Sequence, residues 1–205
     1  METKTHKFVT EYSINKLGFK WLKDNQKELI HYSAQPDFDE NEGAFKYHFY
    51  NPATGKNFDD QDTSALSRFF YYYTLAEHSK NKGERKYIEY LGRSLHYLVD
   101  LNTPVHTYNQ DVLDAVLNVS SHMFFEKKCD ELLPEFDSSE AVKINNINYF
   151  TNNSIKNIGK NCALRASYLF DKYSHIKDKS QVKDIAIEAI DNSIKNVMGI
   201  LYKFN

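Results

Sequence analysis

The sequence predicts an all-α fold, a single compact multi-helix domain spanning residues 1–205, and three observations carry that expectation. Apolar residues recur at helical spacing along most of the chain. No alternating pattern of convincing strand length occurs anywhere. Helix start and stop chemistry brackets the periodic stretches, with Asp62-Thr63-Ser64 ahead of one and Pro104 just past the end of another.

In chain order, Phe8, Val9, Tyr12 and Leu17, then Trp21, Leu22, Leu29 and Ile30, give one or two helices before residue 32, with Gly18 marking the break. From Ser33 to Asp62 the periodicity stops and Pro36, Gly43, Pro52 and Gly55 appear, which reads as a long loop, and long ordered loops in compact domains are usually functional. Leu66, Phe69, Phe70, Tyr73 and Ala76 follow the N-cap residues as a helix, and a second helix from about Glu84 to Leu101 should lie antiparallel to it. Further helices are expected near Ser121–Leu133, Ile147–Tyr173 and Gln181–Phe204. The last carries a stripe of Val182, Ile185, Ala186, Ala189, Ile190, Ile194, Val197 and Leu201. The Asn-rich stretch 145–157 reads as a polar helix start or a loop. No repeat, low-complexity tract or Gly/Ser linker divides the chain.

Composition narrows the function. With 41% hydrophobic residues the chain can bury a sizeable core, and 15% aromatic residues make that core rich in rings. A formal charge of −2 provides no strong attraction to nucleic acid, and no apolar stretch reaches membrane-spanning length. The first ten residues lack a signal-peptide core, which leaves a cytoplasmic chain or a secreted one with its leader replaced by Met1. Nothing points to an obligate protein partner. Cys129 and Cys162 are too few for a disulfide scaffold and read as buried thiols or one bridge.

The chemistry concentrates in the second half of the loop–helix pattern. His96 and Asp100 stand four residues apart and therefore share one helical face. His106 follows two residues after Pro104, and His122 and Glu126 repeat the spacing of four further on. Imidazole and carboxylate are zinc ligands where thiolates are absent, and one helical face can hold two donors about 2 Å from one ion. A single pair of this kind is more often an ion pair or a satisfied core histidine; several together favour a metal.

In this arrangement the chain resembles the bacterial zinc-dependent phospholipase C family, which shares its all-helical fold and ligand set with single-strand-specific nucleases. The resemblance rests on Thr5-His6-Lys7-Phe8-Val9, Pro36-Asp37-Phe38-Asp39, and Tyr47-His48-Phe49-Tyr50-Asn51-Pro52-Ala53-Thr54-Gly55-Lys56. It continues through Tyr90-Leu91-Gly92, His96 and Asp100, Thr103-Pro104-Val105-His106, and His122 with Glu126. The likeness implies three zinc ions. Asp37, His48, His96 and Asp100 would hold one; Asp100 would bridge to a second held by His6; His106, His122 and Glu126 would hold the third. Asp39 is a competitor for the position of Asp37, and Asp59, Asp60 and Asp62 read as solvated loop or capping residues. His31, His78 and His175 receive no role. The family's mature chain begins with a Trp whose amine and carbonyl complete the site of the first His. Here the single Trp is Trp21, and Met1 stands five residues before His6, so either its amine serves as the ligand or that site is incomplete.

The implied reaction is phosphodiester hydrolysis, with Asp37 as zinc ligand and as general base or orienter of the attacking water. The implied substrate is a glycerophospholipid such as phosphatidylcholine, cleaved to diacylglycerol and a phosphorylated headgroup. Phe38 and Phe45 fall where the family places rings around a choline cation, although core packing is an equal use for either. No membrane-binding sandwich domain follows the helices, so only transient loop contact with a membrane surface is expected. The alternatives are a nuclease-like or other small-substrate zinc hydrolase on the same fold, and a non-catalytic metal-binding relative.

Overall fold

The structure, a computed structural model, describes residues 3–39, 44–107, 119–135, 147–174 and 182–205. Met1 and His175 lie outside the described residues. Among the described residues there are helices and turns and no strands.

Helix α1 runs Thr3–Leu17 and stops at Gly18, whose φ of +66° is the left-handed conformation that glycine adopts without a Cβ penalty. Two short helices follow, α2 Lys20–Asp24 and α3 Gln26–Tyr32. The stretch Ser33–Asp62 is not wholly loop. It contains a single helical turn, α4 Pro36–Asp39, and a 3-10 turn Ala44–His48. Four- and five-residue turns are too short to show a period, so the sequence pattern misses them.

The remainder of that stretch is ordered by amide side chains that replace missing backbone partners. Asn51 Oδ1 accepts from the Ala53 and Thr54 amides, and Asn57 Oδ1 accepts from those of Asp59 and Gln61 while its Nδ2 donates to the Thr63 carbonyl. The Tyr50 amide donates to the His106 carbonyl, and the Ala65 amide to that of Phe49. These bonds fix His48 and Phe49 between the two long helices that follow.

Those helices are α5 Ala65–Asn81 and α6 Tyr87–Asp100, packed on one another as the pattern expects. Ser64 caps α5 with a reciprocal bond to Ser67. On α6 the buried set includes Leu91, Leu95, Leu98 and Val99, and the same register turns His96 and Asp100 inward. The turn Pro104–His106 hangs from the end of α6, where Thr103 Oγ1 donates to the Val99 carbonyl and Asn102 joins Asn196 at 2.8 Å.

Helix α7 Val119–Leu132 follows, ending in a 3-10 turn Leu133–Glu135. The expected single helix Ile147–Tyr173 is two, α8 Ile147–Asn152 and α9 Ile155–Ser174, because Ser154 interrupts the ladder and its hydroxyl accepts from the Asn157 amide. Last comes α10 Val182–Phe204, whose predicted stripe is buried throughout and packs against α1 and α7. Cys129 and Cys162 are both free thiols buried in the core, so the bridge left open by the sequence is not made.

Candidate metal centre

Six segments bring sequence-predicted residues to one place. His6 comes from α1, Asp37 from α4, His48 from the end of the 3-10 turn, His96 and Asp100 from α6, and His106 from the turn after it. His122 and Glu126 come from α7. Burial is nearly complete for His6, His96 and Asp100, whereas Asp37 keeps contact with solvent.

Asp100 lies at the middle. Its Oδ2 is 2.8 Å from His48 Nδ1 and 3.3 Å from His96 Nε2, while Oδ1 is 3.1 Å from His106 Nδ1 and 3.5 Å from His6 Nε2. His96 Nε2 is in turn 3.0 Å from His48 Nδ1 and 3.5 Å from Asp37 Oδ1. On the far side, Glu126 Oε1 lies 2.9 Å from His106 Nε2 and 3.1 Å from His122 Nε2. Ligand-capable atoms thus gather in three groups: His6, His96 and Asp100; Asp37, His48 and His96; His106, His122 and Glu126. The resemblance implies Asp37, His48, His96 and Asp100 together and His6 with Asp100; here His96 falls in two groups and Asp100 is grouped with His6 and His96, and Asp100 touches members of all three.

Several contacts outside the predicted set hold these side chains. His96 Nδ1 donates to the Ser33 carbonyl at 3.0 Å, which leaves Nε2 as the atom turned to the cluster and is the usual way a ligand imidazole is oriented. The His6 ring stacks on His96 at 4.0 Å. Phe49 stacks on His106 at 5.0 Å and packs by His122 at 5.5 Å, and Thr3 Oγ1 donates to Asp37 Oδ2 at 3.1 Å. Phe49 receives no role from the sequence, although it directly follows His48 in the motif that ends at Lys56. Ser33 acts through its backbone, which no side-chain pattern reveals.

The electrostatics favour a cation. Burial, and after it the neighbouring His96, pushes His6 well below the usual imidazole range, so its ring is neutral and keeps a lone pair. Burial alone would raise the Asp100 and Glu126 carboxyls, yet the surrounding imidazoles hold Asp100 well below the usual carboxylate range, and hydrogen bonds from His106 and His122 contribute to the lowering of Glu126. Neither ring nitrogen of His6 has a hydrogen-bond partner among the described residues, an orphaned pair that a buried polar group does not normally tolerate. Neutral imidazoles and ionised carboxylates without thiolates form the donor set that zinc accepts, so the residues fit that metal.

Other predicted residues fall elsewhere. Phe38 and Phe45 are 68% and 60% exposed, which removes the core-packing alternative for both. Phe45 stacks on Phe58 and meets Phe49 edge-on, one ring away from His106. His31 and His78 are exposed and belong to none of the three groups. Asp59 and Asp60 pair with Lys46 and Lys56, as loop residues should.

Among the described residues, an all-helical scaffold carrying a buried cluster of histidines and carboxylates puts the chain in the class of helical proteins with a candidate metal centre. Within that class the chain belongs to the zinc-dependent phospholipase C family, whose model matches residues 5–175. A phospholipase C of Paraclostridium bifermentans is 30% identical over 237 residues, covering 98% of this chain and 58% of that protein. One from Clostridium novyi is 28% identical over 214 residues, covering 95% and 53%. The alpha toxin from Clostridium absonum shares the fold, with a TM-score of 0.77 and 24% identity over 100% of this chain and 64% of that one. The chain spans only a little more than half the length of the curated relatives it matches.

Proposed function

We propose that this chain is a zinc-dependent phosphodiesterase that cleaves glycerophospholipids such as phosphatidylcholine on the glycerol side of phosphate. The observation that carries the reading is Asp100, buried, with its two oxygens facing the ring nitrogens of His6, His48, His96 and His106. The relatives named phospholipase C support the substrate class. We assign one zinc to Asp37, His48, His96 and Asp100, a second to His6 and Asp100, and a third to His106, His122 and Glu126. Bound zinc supplies an acidified water and offsets negative charge gathering on the phosphoryl oxygens.

The chain's own residues do the rest. Asp37 is the most exposed of the three carboxylates that meet the cluster, and Thr3 donates to its other oxygen. It holds the attacking water and accepts its proton as the oxygen bonds to phosphorus. The bond from phosphorus to the glycerol oxygen breaks, and that oxygen takes a proton to give diacylglycerol. Phe38 and Phe45 present exposed ring faces at the mouth, suited to a quaternary ammonium and to brief contact with a lipid surface.

The test is hydrolysis by the purified, zinc-loaded protein of phosphatidylcholine in mixed micelles and, in parallel, of single-stranded DNA. The reading expects diacylglycerol and phosphocholine, abolished by a chelator and restored by zinc, with no cleavage of DNA. Cleavage of DNA alone moves the chain to the nuclease reading; no hydrolysis of either by protein that holds zinc favours a binding role.

A further inference from the structure

We infer that Asp130 is a positioning residue for the zinc site built on His6, a role that rests on the zinc reading above. It acts by anchoring the first turn of α1 to α7. His122, Glu126 and Asp130 follow one another at four-residue intervals on α7 and form one ladder. The first two belong to the centre. The third reaches α1, where its Oδ1 accepts from the Thr5 amide at 3.2 Å and from Thr5 Oγ1 at 2.6 Å.

This contact answers two needs at once. The first turn of α1 contains no acidic residue to complement its unpaired amides, and Asp130 supplies the carboxylate from another helix. More important, the His6 ring lacks the hydrogen bond that orients its neighbours. His96 is held by the Ser33 carbonyl, and His106 and His122 by Glu126, whereas neither nitrogen of His6 bonds to any described residue. The ring's place is set by stacking on His96 and by the backbone that carries it. Thr5, fully buried, is the residue directly before His6, so the bond to Asp130 fixes that backbone. The second oxygen of Asp130 is also buried, with no hydrogen-bond partner among the described residues, so the carboxylate is retained at a desolvation cost that a surface cap would not carry.

The experiment is stepwise chelator titration of zinc from wild-type protein and from Asp130→Ala, Asp130→Asn and Thr5→Val, with circular dichroism of each metal-free form. Wild-type protein is measured first, and absence of zinc from it overturns the zinc reading itself. Given zinc, Asp130→Ala should weaken one ion about 10- to 100-fold, the usual effect of removing a group that orients a ligand, and leave the others in place. Asp130→Asn should recover most of that affinity, because an amide oxygen accepts the same two bonds. Thr5→Val, which keeps the amide donor and the fold, should fall between. Unchanged affinities in Asp130→Ala, equal weakening of every ion, or an Asp130→Asn no better than Asp130→Ala would each overturn the inference.

Discussion

At the scale of single residues, Asp100 differs from the other carboxylates among the described residues because each of its oxygens faces two histidines. A neutral amide in its place keeps the size but removes the charge that offsets two dications and one strong donor. Asp100→Asn is therefore expected to inactivate the protein and to lower zinc content by more than one equivalent, measured by elemental analysis; full zinc retention would contradict a bridge. His122 and Glu126 bind to one another and to His106 at the outer end of the cluster. His122→Ala and Glu126→Ala should each empty one position and leave the His48 and His96 site filled, visible as one missing step in a chelator titration. The paired spacing of His96 with Asp100 and of His122 with Glu126 made those four residues legible from helical period alone. His6, Asp37 and His48 carry no such local partner, and only the family resemblance pointed to them, since what unites them with α6 is tertiary packing.

Among the elements, the contact of α3 with α6 decides whether His96 is held. A Cβ on Gly92 would meet the Tyr32 Cβ at 2.5 Å and the Leu29 carbonyl at 3.2 Å, so the two helices touch there because the residue has no side chain. Ser33, at the end of α3, then reaches His96 with its carbonyl. Gly92→Ala should destabilise the fold by about 1–3 kcal/mol, the usual cost of overpacking, measured by urea denaturation, and should weaken zinc at the His48 and His96 site as α3 is pushed away. Normal stability and normal zinc affinity in that variant would show that the helices can part freely. Ser64→Ala tests a different element, since it removes a cap of α5 whose side chain bonds Ser67 and no proposed ligand: a loss of about 1 kcal/mol is expected, with zinc content unchanged. The long helices were legible because each repeats its apolar stripe over several turns. The break at Ser154 was not, since the apolar residues on either side stay nearly in phase, and neither were the turns Pro36–Asp39 and Ala44–His48, which are shorter than the period that would reveal them.

For the whole molecule, the two thiols report on global opening. Burial pushes both Cys129 and Cys162 up to about 12, and they sit in the shared core rather than at the centre. With the folded value above the ordinary one of 9.0, the contribution to stability is fully present below that ordinary value and is lost as pH rises from there toward about 12. Thiol labelling at pH 8 should therefore be slow in the folded protein and fast in denaturant, and stability should fall on raising the pH above 9; rapid labelling of native protein would place a cysteine outside the core. The central claim is that one buried cluster, joined through Asp100, holds zinc in three adjoining groups. Anomalous diffraction from zinc-loaded crystals, collected on both sides of the zinc absorption edge, tests it most directly. The account predicts one peak within about 2 Å of ligand atoms of Asp37, His48, His96 and Asp100, a second at His6 and Asp100, and a third at His106, His122 and Glu126. Peaks elsewhere on the molecule, or none at Asp100, would contradict it.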